Sequence, residues 1–476
     1  MSGAITQAPG RLEPSVRPEP GALILMALAT AGLVVAVQQS MVIPLLPSLM
    51  TRFDVSMTAV TWVFTASLLA GAVATPLLTR FGDMYGKKRM ILLCLGTLFA
   101  GSVVCALSNT LAVLIAGRAL QGVSVAMIPL AIGSVRDAFP AERVTTAIGV
   151  ISATMGVGGT IGMIVTGVIA DLTSSHRPVF WISAGLAVAG LVLIAWSAPE
   201  VGERAGGRPD VPGTLLLAAC LVCLLMAISQ GNRWGWASPG VLALFGAAVA
   251  LSAIWVVVEL RVREPLVRLN LLIGSQSLSA NLASLLLGFA MYAMFTLIAG
   301  FIQAPRERLG YGLSGSVMDV GLYMLPSTVT MLVASTLAGR VSARIGPAFT
   351  LAIGSLVAAL SYVWIALSNA HPHDMLVFSA VQGAGFGIAY AALGTLAVRH
   401  VPMDQSGIAS GINALVRTTG GSIAGAATAA VLAAFTIAGT GMPTLGAYVM
   451  CFWIGAVGAL LAAGVALANG VRHRHA

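Results

Sequence analysis

Few residues in this 476-residue chain can do chemistry, and the most telling are charged or amide side chains set in apolar runs. Arg118 shares a helical face with Gln121, Gly122 and Val125. Arg417 shares one with Ser410, Asn413 and Gly421. A guanidinium inside an apolar helix is expensive and points to function, with a partner close by. The alternatives are structural: Arg118 bonding backbone carbonyls of the first span, Arg417 joining hydrogen bonds internal to a bundle. Asp319 is the one acid that falls well inside a predicted apolar helix, roughly 9 Å down it at 1.5 Å per residue. It reads either as an acid favoured by a helix N-terminus or as a group that titrates or binds a cation. Gln38 and Gln39 add two amides, which hydrogen-bond but do not titrate near neutral pH. Such an inventory can recognise charge and pass protons; it does not assemble a catalytic centre.

The remaining reactive side chains support that reading. All six histidines fall in loops or the tail, and the five cysteines sit in apolar runs, where burial as small apolar groups is expected. Cys220 and Cys223 have CxxC spacing but no second pair and no nearby histidine. No metal, no cofactor and no enzymatic activity are therefore expected. A membrane enzyme would need His, Cys or carboxylates clustered at one depth, and a channel would need repeated pore-lining rings; both are remote alternatives.

The elements that must position these residues follow from composition. Hydrophobic residues make up 58% of the chain and charged residues 9%, against about 25% charged in a soluble domain. That predicts an all-α integral membrane protein. A ruler of about 20 apolar residues per crossing places fourteen spans near 21–48, 57–78, 90–108, 111–135, 144–169, 179–197, 212–230, 239–258, 278–304, 313–338, 347–368, 374–398, 407–437 and 446–469. Residues 1–20 read as a disordered cytoplasmic tail and 470–476 as a second one. The uncharged run from Pro20 to Thr51 is too long for a cleaved signal peptide and is expected to stay as the first span. With the N-terminus inside, 18 Lys and Arg fall on the cytoplasmic side and five (Arg52, Arg177, Arg233, Arg306 and Arg308) outside. That asymmetry sets both termini in the cytoplasm. The net charge of +9 thus suits anionic lipid, not nucleic acid.

The chain also repeats itself. LQG at 120–122 meets VQG at 381–383, RFGDMYG at 80–86 meets RVSARIG at 340–346, and FPAERVTTA at 139–147 meets VPMDQSGIA at 401–409. Three matches in one order and register predict two six-helix bundles, 21–197 and 278–469, in parallel repeat. The two helices of 212–258 are then an insertion, and the substrate site is expected between the bundles near the midplane. Span five carries small residues four apart, Gly158, Gly162, Thr166 and Ala170, with Gly167 beside them, a packing face that would also serve a gate helix.

The loop motifs resemble those of the major facilitator superfamily, in its fourteen-span drug:proton antiporter branch. TRFGDMYGKKR at 79–89 is similar to the loop GxLaDrxGrkx, and LIAGRALQG at 114–122 to the span-four motif lxxxRxxqG. GMIVTG at 162–167 stands where the antiporter motif GPxxGG would, with Met163 for Pro and Thr166 for Gly. RPDVPG at 208–213, SQGNRWGWAS at 229–238 and EPLVRL at 264–269 are further cues of the branch. The resemblance implies a monomeric cell-membrane transporter that exports small amphipathic compounds, antibiotics among them, by alternating access in exchange for protons. It assigns Arg118 to coupling or substrate contact, and the loop residues Arg80, Asp83, Gly86, Lys87, Lys88 and Arg89 to conformational switching. Asp83 would there pair with neighbouring helix ends; the alternative is a solvated loop carboxylate. One departure stands out: the branch carries an Asp in span one where this chain has Gln38. An importer, or an exporter not driven by protons, is the rival reading. By elimination Asp319 is the embedded group expected to carry proton coupling or cation recognition.

Overall fold

The computed structural model describes residues 22–42, 45–55, 57–60, 62–173, 175–197, 210–262, 265, 275–399, 401–402, 405–437 and 442–472. The expected tail of 1–20 and the end of the second, 473–476, lie outside the described residues. Fourteen helical rods follow one another: α1 (Ala22–Met41), α2 (Trp62–Tyr85), α3 (Lys87–Leu107), α4 (Leu111–Gly122, a 3-10 turn at Val123–Ala126, then Met127–Ala138), α5 (Ala141–Leu172), α6 (Arg177–Ser197), α7 (Val211–Trp234), α8 (Pro239–Arg261), α9 (Ser275–Gln303), α10 (Val317–Ile345), α11 (Pro347–Leu367), α12 (Pro372–Arg399), α13 (Ser406–Ala434) and α14 (Leu445–Arg472). Short helices at Leu46–Phe53, Met57–Val60 and Arg306–Leu309 lie between them. Among the described residues, thirteen rods are long and apolar enough to cross a membrane. The other, α13, is as long but is interrupted by Ser410, Asn413, Arg417 and a run of threonines and glycines. Helices suit such sequences because hydrocarbon offers backbone amides no partner, so each segment must satisfy its own.

Two of the boundaries that differ from the sequence expectation bear on the site. The switch segment is no loop: α2 continues to Tyr85, α3 starts at Lys87, and Gly86 alone lies between them, at φ 111°, a conformation that favours glycine. Asp83 therefore rides on the last turn of a helix. α10 begins at Val317, four residues later than expected, because Ser316 caps it. That moves Asp319 from the interior of a span to its first turn.

α1 packs on α5, α2 on α4 and α3 on α6; α9 packs on α13, and α12 on both α10 and α11. The cores follow this division, one centred on Phe301, Tyr362, Phe378 and Phe452, others on α1 to α6. Two seams join the sets, α5 against α10 and α12, and α2 with α4 against α13. α7 and α8 pair with each other, and α7 lies against both α2 and α13. There Trp255 of α8 is buried with Ile408 and Ile412 of α13. The repeated QG pair has one physical meaning in both places. A Cβ on Gly122 would run into the Ser67 carbonyl of α2, and a Cβ on Gly383 into the Ser327 carbonyl of α10. Only glycine lets those backbones approach so closely.

Candidate functional site

Arg118 is fully buried in α4. Its Nε donates to the Val63 carbonyl of α2 at 3.0 Å and its Nη1 to Gln121 Oε1 at 2.8 Å, while Nη2 makes no hydrogen bond. The same Gln121 oxygen accepts from Gln38 Nε2 at 2.8 Å, and Gln121 Nε2 donates to Ser102 Oγ at 2.7 Å. Ser102 gives its own proton to the Leu98 carbonyl, so Ser183 Oγ, 3.1 Å away, must be the donor in that pair. Arg118 thus ties α1, α2, α3, α4 and α6 together. Its bonds to main chain go to the second helix, not the first; α1 is reached through Gln38. Gln39, beside it, has a buried Oε1 without a hydrogen bond.

Arg417 lies in a different setting, at the middle of α13. Its guanidinium stands 5.3 Å from the Tyr390 ring of α12, and Nη2 lies 3.9 Å from Met155 Sδ of α5. Met155 and Gly159 share a face of α5, and Gly159, though buried, fronts open space. Arg417 therefore reaches into the space between the two helix sets. Asn413 does not accompany it: its amide donates to Ala280 O at 3.4 Å and Asn281 Oδ1 at 3.2 Å, and it accepts from Ser284, inside the α9/α13 contact. Arg118 and Arg417 do not share a cluster.

A third constellation closes the basic end of the α2/α13 seam. Asp83 Oδ1 accepts from Gly407 N–H at 3.0 Å and Oδ2 from Ile408 N–H at 2.9 Å, so the carboxylate of α2 caps the N-terminus of α13. Free amides and the helix dipole both favour a negative charge there. Lys87 Nζ lies 3.1 Å from Asp83 Oδ1 and 2.5 Å from Asp137 Oδ2. Asp137 also accepts from Ser406 Oγ at 3.2 Å, and Arg136 donates to the carbonyls of Val401 and Pro402. The solvated-loop alternative for Asp83 is thereby set aside: the residue is 1% exposed. Of its basic neighbours only Lys87 joins the latch; Lys88 bonds the Ala195 carbonyl, Arg80 is half-buried and Arg89 is exposed. Sequence reasoning missed Asp137, whose one signal is a charged pair, Arg136–Asp137, ending an apolar run. It also missed Tyr390 and Met155, which look like any core residue until the fold brings them to Arg417.

Asp319 is corrected in position. Ser316 and Asp319 form a reciprocal capping box, with Ser316 N–H and Oγ donating to Asp319 Oδ2 at 2.7 and 2.9 Å and Asp319 N–H donating to Ser316 Oγ at 3.1 Å. It sits at the rim opposite the latch. On α5, Gly158 and Gly162 give room to α1 at Ala36, Val37 and Ser40, Thr166 Oγ1 donates to the Met41 carbonyl at 3.0 Å, and Gly167 faces Met318 of α10. The Ala170 side chain lies outside the described ones.

Two histidine settings occupy the non-latch end. His176 is packed between Phe53 and Phe180, and burial, with Arg52 and Arg177 nearby, pushes its pKa down to about 4. His371, His373 and Asp374 bring their ligating atoms within 4.8 Å of one another, a set that could hold a divalent metal. Because Asp374 folds back to accept from His371 N–H at 2.9 Å, this cluster was not visible in spacing alone.

Residues 28–425 match the family model of the Major Facilitator Superfamily. Among similar proteins is the tetracenomycin C resistance and export protein of Streptomyces glaucescens, 28% identical over 406 residues, covering 84% of this chain and 73% of that one. The multidrug resistance protein Stp of Mycobacterium tuberculosis is 28% identical over 394 residues, covering 82% and 72%. A probable actinorhodin transporter of Streptomyces coelicolor is 30% identical, covering 79% and 66%. In structure the chain is similar to the human organic anion transporter MFSD10, with a TM-score of 0.67 at 17% identity, covering 94% of this chain and all of that one.

Proposed function

This chain belongs to the Major Facilitator Superfamily, and we propose that within it the protein exports small amphipathic compounds, antibiotics among them, across the cell membrane by alternating access. The names of its relatives, which are export and resistance proteins, support the direction and the substrate range. The observation that carries the mechanism is the latch, a buried carboxylate on one helix set capping the first turn of a helix in the other.

In this reading the moving bodies are the six-helix bundles 21–197 and 278–469, with 212–258 outside them, and the protein works as a monomer. The charge asymmetry of the loops puts the latch and both termini on the cytoplasmic side. The latched form then has its cytoplasmic door closed, and inward opening must break the Asp83 cap, the Asp137–Ser406 bond and the Arg136 contacts together. Each hydrogen bond to a charged group is worth about 1.5–3 kcal/mol, so the latch is strong enough to hold a state and weak enough to release. α10 glides on α5 at Gly167, while Gly158, Gly162 and Thr166 seat α5 closely on α1.

The exchange ion expected from the resemblance is the proton. Its candidate acceptors are Asp83 and Asp137 at the latch, since Asp319 is engaged in a cap at the far rim and Gln38 does not titrate. An exporter not driven by protons is the second reading, favoured by the absence of any carboxylate hydrogen-bonded or ion-paired to Arg118 or Arg417 among the described residues. Fluorescent-dye uptake into everted vesicles, with and without an imposed pH gradient, tests both. Uptake is expected in either case, and a dependence on the gradient selects the proton. A protein that inserts but moves no dye in everted vesicles, and does so in right-side-out ones, is an importer.

A further inference from the structure

The charges inside this helix bundle are of one sign. Every carboxylate among the described side chains lies in a loop or within a turn of a helix end: Asp83, Asp137 and Glu259 near C-terminal ends, Glu142, Asp319 and Asp374 near N-terminal ends. Arg118 and Arg417 alone sit deep within rods. Arg118 is absorbed by the Val63 carbonyl and Gln121. Arg417 has an aromatic face at 5.3 Å, a thioether at 3.9 Å and the Tyr292 phenol near it, with no carboxylate hydrogen-bonded or ion-paired to it among the described residues, and the Met155 it reaches shares a face of α5 with Gly159, which fronts open space. A half-buried guanidinium set between helices calls for an anion, and neither a ring face nor a sulfur supplies one.

We infer that Arg417 is the recognition group of an anion site, and that the transported molecules are aromatic amphipaths carrying a carboxylate, sulfonate or phenolate. The inference rests on the exporter reading above and adds the substrate's charge to it. The anionic group takes the open fork of Arg417, in the planar geometry that suits oxyanions. The ring system lies against Tyr390 and Met155, and Met155 is unbranched and polarisable enough to adapt to different ring shapes.

This assignment has an electrical consequence. An anion leaving a cell that is negative inside moves with the field, and each charge crossing a potential of about 100 mV supports about a 50-fold concentration ratio. No proton acceptor at the midplane is then required, which is in keeping with the non-titrating amide of Gln38 in α1. If a proton does enter in exchange at the latch, two charges move per anion, and the electrical dependence steepens.

Fluorescein and rhodamine 123 test the site, because they share a ring frame and differ in charge. In reconstituted vesicles the protein is expected to move fluorescein in preference to rhodamine. Arg417→Gln is expected to lower the fluorescein-to-rhodamine ratio at least tenfold, and Arg417→Lys, which keeps the charge, to hold it within a few-fold. A potential negative on the cytoplasmic side, imposed at equal pH, should speed fluorescein export, and the reverse potential should slow it. Preference for rhodamine, or an Arg417→Gln variant with an unchanged ratio, overturns the anion site. Equal rates at both polarities overturn the electrical part. Fluorescence anisotropy of fluorescein on the purified protein separates the two readings. Arg417-dependent binding without transport of either dye leaves the anion site standing and removes the exporter. No binding of fluorescein removes the site.

Discussion

Asp83→Asn removes one charge from the latch and little else. The carboxylate holds two α13 amides at 3.0 and 2.9 Å and lies 3.1 Å from Lys87 Nζ. An asparagine keeps one acceptor oxygen, but its NH2 must face either a backbone N–H or the Lys87 ammonium, all of them donors. One hydrogen bond to a charged group is lost, about 1.5–3 kcal/mol, and a buried donor loses its partner, about 1–3 kcal/mol more. Lys87 keeps Asp137 at 2.5 Å, which limits the damage. A net weakening of about 3 kcal/mol shifts the closed-to-open ratio at this end by about 100-fold. Thr145 and Thr395, whose hydroxyls lie 3.0 Å apart across the α5/α12 contact on the same side, report on closure when both are replaced by cysteine and oxidised. Cross-linking should be fast in the parent and slow in Asp83→Asn, and transport of every substrate should fall in equal proportion. An Asp83→Asn protein with altered substrate ranking, normal turnover and unchanged cross-linking would refute the latch.

Asp319→Asn, read from the capping box, costs about 1 kcal/mol of stability and leaves the pH dependence of export unchanged; abolished pH-coupled export with intact stability would return the coupling role to Asp319. Gly122→Ala and Gly383→Ala force a methyl group onto the Ser67 and Ser327 carbonyls and should each cost about 1–3 kcal/mol, seen as lower melting temperatures, whereas Gly159→Ala, which faces open space, should not lower it; equal effects at all three positions would contradict the packing argument. His176 has a folded pKa near 4, below its ordinary 6.5, so only the unfolded chain gains a proton as pH falls between those values. Stability is therefore complete above pH 6.5 and declines down to pH 4, by on the order of 2 kcal/mol given partial screening; thermal unfolding across that range should show a slope that His176→Asn flattens, and an unchanged slope would mean that other groups carry it.

The helical membrane fold was legible because hydrocarbon imposes it: long uncharged runs and basic loops have few other readings. Arg118 and Arg417 were equally legible, since an arginine in an apolar run is conspicuous. Their surroundings were not. In the sequence Gln38 reads as a missing acid, yet its role as a bridge to Gln121 depends on a side-chain distance of 2.8 Å across 83 residues of sequence. Asp319 was misplaced by four residues of helix boundary, enough to turn a capping acid into an embedded one. Asp83 was assigned to the switch by resemblance, but only the fold reveals that its partners are backbone amides of Gly407 and Ile408, which no side-chain pattern can announce.

The two seams between the helix sets are built differently, and the difference bears on how the molecule can move. Along α5 and α10 small residues alternate with large ones over most of the length: Gly149 against Ser335, Gly156 against Met331, Gly321 against Ile164 and Gly167 against Met318, with Thr160 and Thr328 bonded at 2.7 Å. Such a surface offers many weak, similar contacts, so sliding by part of a turn replaces each with another of the same kind. α2 and α13 instead meet at Asp83–Gly407 and Thr79–Gly411, near one end, where α7 and α8 cover the junction with apolar side chains. A charge at a helix terminus has no equivalent position a few ångströms away, so this contact is made or broken rather than shifted. The first seam is thus suited to gliding and the second to switching. A pair of bundles held together in this way would have two discrete arrangements, the property that the proposed alternating access demands.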